Sequence, residues 1–412
     1  MPLPARIDAV VVGAGQAGLI TSGLLNAAGR DHLVLERRKT LGGSWQDRWD
    51  SFRIVTPNWS SSFPGAPYDG DDPDGFMTRD EISGRVARYA ETIHAPVELD
   101  TDVVRLSSEP DVGFRLETNQ GDLRCARVIV ASGPFRRPNV PAAGAALPRH
   151  ITQLHSHDYR NEAALPPGAV LVVGGGQSGT QIAEELQEAG RTVFMAVGNA
   201  PLAPRRYRGR DIFWWLAEIA ARGPALGVEL PTVDRLASPR LRVAANVLLS
   251  GHHGGHEMNL RRIAAGGITM LGHFQAVDGR RIRAAPDLAE ILIRSEAFFG
   301  ERIQPLIERF IELAEIDAPP DRRVPFDFQP PEVTEIDLDA AGVSTVIWAT
   351  GYRPDFTWID LPIFDDMDFP IHRRGVTDVP GLGFVGLLWQ HTQVSATLVG
   401  PALDAPHVLE TI

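Results

Sequence analysis

A nine-residue pattern occurs twice in this chain of 412 residues, and few folds can hold both copies. Val10-Val11-Val12-Gly13-Ala14-Gly15-Gln16-Ala17-Gly18 returns 161 positions later as Leu171-Val172-Val173-Gly174-Gly175-Gly176-Gln177-Ser178-Gly179. The offset persists past the glycines, because Gly29-Arg30 falls opposite Gly190-Arg191. Each copy reads as an apolar strand, a glycine turn, an apolar-periodic helix, a glycine stop and a second strand. The first glycine of such a turn makes it tight, the second lets backbone approach a pyrophosphate, and the third lets helix pack on strand. The phosphates then lie at the helix N-terminus, where unpaired N–H groups and the helix dipole favour an anion. Two such units imply two dinucleotides with electron transfer between them.

Strand-end residues assign the nucleotides. Glu36 ends the second strand of the first copy, where a carboxylate accepts hydrogen bonds from an adenosine ribose and repels a 2'-phosphate. The first site is therefore expected to take FAD or NAD, not NADP. The matching position in the second copy is Val197, followed by Gly198 and Asn199. No acid guards that ribose, so a 2'-phosphate is tolerated, with Arg191, Arg205 and Arg206 as candidate partners.

Bulk properties narrow the function classes. A chain of this length has room for two or three domains, each with its own core. Its net charge of -12 argues against nucleic acid or an anionic membrane as the main partner. The sole cysteine, Cys125, excludes an intrachain disulfide and a CxxC redox pair, and is compatible with a reducing compartment. No secretory leader precedes Ile7 and no apolar run reaches membrane-spanning length, so a cytoplasmic location is expected. His252, His253 and His256 sit among glycines without a fourth ligand at zinc spacing, so they read as a turn and no metal is expected.

The expected fold class is α/β: two dinucleotide-binding (Rossmann-like) domains, with the NAD(P)H domain inserted into the FAD domain. Residues 1–148 read as the first part of the FAD domain, with a helix at Glu81–Thr92 capped by Asp80 and strands at Val103–Leu106, Phe114–Glu117 and Val128–Val130. Residues 149–285 read as the NAD(P)H domain, mostly helical over 211–265. Residues 286–335 hold an amphipathic helix at Ile291–Ile316 and a proline-rich return; its apolar face suits either the core or a second copy, leaving a homodimer open. Residues 336–412 resume the first sheet near 340 with Thr345–Gly351, and end in a tail lining the flavin and substrate.

Together these residues resemble the class B flavin monooxygenases, the family of flavin-containing monooxygenases, YUCCA enzymes and Baeyer–Villiger monooxygenases, and within it the CzcO-like bacterial flavoproteins. The likeness covers nearly the whole chain. Its marks are Gly13 to Gly18, Gly42-Gly43-Ser44-Trp45, Thr56-Pro57-Asn58-Trp59, His155 to Tyr159, Gly174 to Gly179 and Ala349-Thr350-Gly351-Tyr352. The family fingerprint keeps only His155 and Tyr159, with Arg149 and Ile151 where its Phe and Gly would stand. Baeyer–Villiger relatives carry Trp at the Tyr159 position, which points away from that branch. The resemblance implies FAD in the first site and NADPH in the second. Many relatives carry an arginine near Asn199, and its absence leaves NADH open as well.

The implied cycle passes a hydride from nicotinamide to flavin, after which O2 adds at flavin C4a to give a hydroperoxyflavin. A small-molecule substrate is then oxygenated, at nitrogen or sulfur in the first reading. Oxidative decarboxylation of a 2-oxo acid and a non-oxygenating NAD(P)H oxidase or redox sensor are the alternatives. Asn58, His155 and Tyr159 are the candidate catalytic residues. FAD contacts are expected from Gly13, Gly15, Gln16, Ala17, Gly18, Glu36, Arg37, Gly43, Ser44, Trp45, Val104, Ala131, Gly133, Gly386 and Thr392. Nicotinamide-nucleotide contacts are expected from Gly174, Gly176, Gln177, Ser178, Gly179, Asn199, Arg205, Arg206, Ala349, Thr350 and Gly351.

Overall fold

The computed structural model describes residues 3–244 and 246–412. β1 (Arg6–Val12) buries its last four residues, turns at Gly13 and feeds α1 (Gln16–Ala27), which returns the chain to β2 (His32–Leu35). All four residues of β2 are buried, as expected of a parallel strand covered on both faces. α2 (Arg79–Thr92) starts two residues before the expected Glu81. Its cap is Thr78 rather than Asp80: the Thr78 hydroxyl accepts the Glu81 N–H, while the Glu81 carboxylate accepts the Thr78 N–H. β3 (Val97–Glu98), β4 (Val103–Glu109), β5 (Gly113–Thr118) and β6 (Gly121–Val130) follow, the last two joined by a tight turn at Asn119-Gln120.

The second copy of the motif builds the second sheet. β7 (Thr152–His155), β8 (Ala169–Val173), α3 (Gln177–Glu188) and β9 (Val193–Ala196) precede α4 (Ile212–Arg222) and β10 (Thr269–Leu271). The stretch 211–265, expected to be mostly helical, holds α4 and the short helix Leu260–Ala265 amid 3-10 turns and a small hairpin. The amphipathic helix expected over 291–316 is two helices, α5 (Leu288–Phe298) and α6 (Gln304–Leu313), joined by a π-turn at Phe299–Ile303. Pro305 lies at the start of α6, where it has no N–H to continue the ladder from α5. Phe299, Ile303, Ile307 and Phe310 pack on Trp215 and Ile219 of α4, so that face covers a core of the same chain.

β11 (Val343–Trp348) corrects the expected domain boundary. It does not resume the first sheet but lies between β8 and β7, completing a five-stranded parallel sheet of order β10-β9-β8-β11-β7. The repeat explains this. Val346, Ile347 and Trp348 face Leu171, Val172 and Val173, as Val128, Ile129 and Val130 face Val10, Val11 and Val12. The strand mirrors β6 because it does the same task in its own unit. The first sheet is re-entered later, by β12 (Ile359–Asp360) beside β4 and β13 (Leu382–Phe384) beside β6. Its order is then β12-β4-β5-β6-β1-β2-β3, with β13 branching from β6. α7 (Gly400–Thr411) closes the chain against α1. Among the described residues, no helix is long and apolar enough to cross a membrane.

Candidate active site

Each glycine turn opens where strand order reverses: β1 stands between β6 and β2, and β8 between β11 and β9. Crevices outside the C-terminal ends of strands at such points are where this architecture takes ligands. The turns are built alike. Gly13 has φ 107° and a Cβ there would lie 2.6 Å from the Ala131 carbonyl oxygen; Gly174 has φ 121° and its Cβ would lie 2.2 Å from that of Ala349. A Cβ on Gly18 would come within 1.8 Å of the Gly13 carbonyl oxygen, and one on Gly179 within 1.9 Å of that of Gly174. These four glycines therefore bring helix and strand together rather than lining the crevices themselves, save Gly13, which does both.

The helix ends are left open for an anion. α1 and α3 begin at Gly15 and Gly176 with no side-chain cap, in contrast to the double cap on α2. A Cβ on Gly15 would meet no protein atom within 4 Å, so the space above the turn is free. The Ser132 hydroxyl, facing the same cavity, is buried without a partner. Uncapped N–H groups, open room above them and an orphaned hydroxyl together fit a dinucleotide phosphate.

Gly13, Gly15, Gln16, Ala17, Glu36, Arg37, Gly43, Ser44, Trp45, Ala131, Gly133 and Gly386 all line this first cavity. Glu36 is held there by two backbone bonds: Oε2 accepts the Ala14 N–H at 2.8 Å, and Oε1 accepts the Arg38 N–H at 2.9 Å. Burial lowers the pKa of Arg37 from its ordinary value. Val104 does not face the cavity. It is 55% exposed, while its neighbour Val103 is buried and supplies the wall, because successive strand residues point to opposite faces. Thr392 also lies outside. It bridges to Thr232, while Gln393, Val394, Ala396, Thr397 and Leu398 of the same tail line the crevices.

The second cavity, about 480 Å³, is lined at its polar end by Gly176, Gln177, Ser178, Ala349, Thr350 and Gly351. Trp49, Phe52, Phe213, Val247 and Leu387 contribute apolar lining to the same cavity. Gln177 Oε1 accepts the Leu249 N–H at 3.1 Å and Gln181 Nε2 donates to the Leu249 carbonyl at 2.8 Å, fixing α3 to the segment that follows Val247. The two cavities share Gln16, Trp45, Arg48, Pro134, Phe135 and Ala396, and so are contiguous. At the shared wall Gln16 accepts from the Trp45 indole N–H at 3.1 Å and donates to the Thr397 carbonyl at 3.1 Å.

The three candidate catalytic residues lie behind the cavities. Asn58 is buried with both ends of its amide engaged: Nδ2 donates to the Asp72 carbonyl at 2.9 Å, and Oδ1 accepts the Met77 N–H at 2.7 Å. It pins the 57–77 loop and lines neither cavity. His155 Nδ1 accepts the His157 N–H and Nε2 donates to the Gly351 carbonyl, both at 3.0 Å. Burial lowers its pKa, and those bonds fix a neutral tautomer that holds the Gly351-Tyr352 turn. Tyr159 is fully buried, and its hydroxyl donates to Glu185 at 2.8 Å beneath α3. Ser156, adjacent to His155, is the residue of that segment that reaches the second cavity.

Of the residues nominated for the second ribose, Asn199 is exposed and lies outside the cavity. Arg205 is 2% exposed, pairs with Asp211 at 2.8 Å, donates to the Val55 carbonyl and stacks on Phe76 at 4.2 Å. Burial lowers its pKa to about 10. It is an internal brace behind Val55 and Phe213 of the second cavity and does not itself line it. Arg206 donates to the carbonyls of Gly254 and Gly255. His253 and His256 pair with Glu188 and Glu184 of α3, each at 2.9 Å. Arg48 was not anticipated; its position three residues after Trp45 was the available signal.

Fold and crevices define an oxidoreductase class built on two dinucleotide-binding units. The pyridine nucleotide-disulphide oxidoreductase family model matches residues 10–214. The disulphide in that description has no cysteine pair here, since Cys125 is the sole cysteine and burial pushes its thiol up to about 12. An uncharacterized CzcO-like oxidoreductase of Geobacillus kaustophilus is 31% identical over 98% of both chains. The indole-3-pyruvate monooxygenase YUCCA1 of Oryza sativa is 29% identical over 50% of this chain and 51% of its own. Among solved structures, a flavin-containing monooxygenase from Stenotrophomonas maltophilia matches 99% of this chain and 98% of its own, with TM-score 0.63 and 23% identity. The chain belongs to the class B flavin monooxygenase family, among its CzcO-like members, and is an oxidoreductase.

Proposed function

We propose that this enzyme oxidises NADPH or NADH at the second crevice and oxygenates a small organic substrate with O2 at the first, at nitrogen or sulfur. The observation that carries the reading is the pair of uncapped helix N-termini opening into two cavities with one common wall. FAD, when bound, supplies hydride acceptance and oxygen activation, and the protein supplies position, electrostatics and exclusion of water. The α1 N-terminus and the Gly13–Gly18 turn hold the flavin nucleotide's pyrophosphate, and Glu36 accepts from its ribose. The α3 N-terminus holds the nicotinamide nucleotide. Gln16 and Trp45 keep the common wall in place, and the Trp49, Phe52 and Leu387 face excludes water from the second crevice.

The test is anaerobic reduction of the flavin-loaded enzyme by NADPH or NADH, followed by oxygen in the presence of amine and thioether substrates. Oxygenated product matching the NAD(P)H consumed supports the reading. Stoichiometric peroxide with every substrate overturns it in favour of an NAD(P)H oxidase. That second reading draws on Asn58, which is held within its own loop and lines neither cavity. A purified protein that neither carries nor binds FAD removes both.

A further inference from the structure

The second crevice must distinguish a 2'-phosphate from a 2'-hydroxyl on the adenosine ribose, and the internal repeat locates where. At the 161-position offset, Ala14 and Glu36 correspond to Gly175 and Val197. The contact is kept: Glu36 bonds the Ala14 N–H, and a Cβ on Gly175 would lie 3.0 Å from the Val197 Cβ. Arg37, which lines the first cavity, therefore corresponds to Gly198. The neighbouring strand is also in register. Val34 and Leu35 pair with Val97 and Glu98, as Met195 and Ala196 pair with Met270 and Leu271. In the first unit the loop after that strand brings Thr101 and Asp102 to the nucleotide cavity. In the second unit the loop after β10 brings His273, two residues past Leu271 as Asp100 is past Glu98, to the Gly198 turn outside the wall of the second cavity.

His273 occupies room beside the strand end that Gly198 leaves empty. A Cβ on Gly198 would lie 3.2 Å from both Cδ2 and Nε2 of the ring. Asp287, just before α5, holds the ring on its other side: Oδ2 lies 2.6 Å from Nδ1, and Oδ1 accepts the His273 backbone N–H at 3.0 Å. With Nδ1–H given to Asp287, Nε2 faces Gly198, on a side chain still 42% exposed. The three arginines expected from the sequence to meet a 2'-phosphate are engaged elsewhere: Arg191 with Glu162 at 2.9 Å, Arg205 with Asp211, and Arg206 with two carbonyls.

We propose that His273, oriented by Asp287, is the residue that reads the 2' position of the nicotinamide nucleotide's adenosine ribose. As an imidazolium it donates from Nε2 to a 2'-phosphate; as a neutral ring it accepts from a 2'-hydroxyl. This makes it a specificity residue contributed by the adjacent strand rather than by the strand carrying Asn199. The inference rests on the second crevice being the nicotinamide-nucleotide site.

Calorimetric titration of the flavin-loaded protein with 2',5'-ADP and with 5'-ADP tests it without turnover. His273→Ala is expected to weaken 2',5'-ADP binding about tenfold while 5'-ADP stays within about twofold. His273→Arg is expected to restore or exceed the wild-type preference for 2',5'-ADP. An unchanged ratio of the two affinities in His273→Ala overturns the inference, as does an equal fall in both, the mark of a merely structural role. Wild-type protein that binds neither probe overturns the nucleotide reading of the crevice itself, and this inference with it.

Discussion

Gly15 and Gly18 sit three residues apart in one turn, yet different physics requires each. A Cβ at Gly18 collides with the protein's own Gly13 carbonyl, whereas a Cβ at Gly15 meets only the open space above the α1 N-terminus. Gly15 also has φ -73°, which any residue can adopt. Gly15→Ala should therefore fold with a melting temperature close to wild type but purify with little flavin, while Gly18→Ala should lose stability and flavin together. Absorbance at the flavin band and a thermal melt on each variant check this; a Gly15→Ala protein with full flavin content would sink the assignment of that space to the pyrophosphate. Glycine spacing was legible in the sequence at this scale. What was not legible is which polar side chains are already committed, since Asn58 and Tyr159 are held by partners remote in sequence: Asp72 and Met77 for one, Glu185 for the other.

Helix starts divide into those sealed by their own side chains and those left for a ligand. α2 has its first N–H groups satisfied by the Thr78–Glu81 box, and it anchors Arg85, which donates to the carbonyls of Ser61, Ala66 and Pro67. Its cap serves stability alone. Thr78→Ala should cost about 1 kcal/mol in denaturant unfolding and leave flavin content unchanged. A loss of flavin without a loss of stability would show that the cap acts on the site instead. At this scale the β1-α1-β2 and β8-α3-β9 units were legible from apolar runs and glycines. The break between α5 and α6 was not read, although Pro305 marked it. The cap lies two residues earlier than the sequence suggests because Asp80 and Thr78 both suit an N-cap, and the choice depends on where the chain enters from Phe76 and Met77.

Across the whole molecule, burial has taken His32, His155, His252 and His372 below the ordinary histidine range, His372 to about 4. A base whose folded pKa is depressed adds stability above its unfolded value of about 6.5, and that stability is lost as pH falls toward the folded value. Buried acids run the other way: Glu185, Asp211 and Asp404 are raised by burial and favour the fold at lower pH. A single substitution separates the two. The stability difference between wild type and His372→Gln should shrink as pH falls from about 7.5 to about 5, because only the wild type has that proton to take up. Unfolding curves at the two pH values decide it, and a difference that grows on acidification would contradict the buried neutral ring.

The sequence by itself determined that there are two nucleotide units, their register to the residue, and the carboxylate that ends the first, because these depend on local turn geometry and on a periodicity that survives in any copy of the motif. Tertiary structure decided which strand completes which sheet. Val343–Trp348 reads equally well as either sheet's strand, and only its neighbours β7 and β8 settle the matter. It also decided which face of β4 is inward, exchanging Val104 for Val103, and which of the arginines near the second crevice are already spent. Those are questions of partners brought together from distant parts of the chain, and a partner's demand on a side chain leaves no mark on the sequence around it.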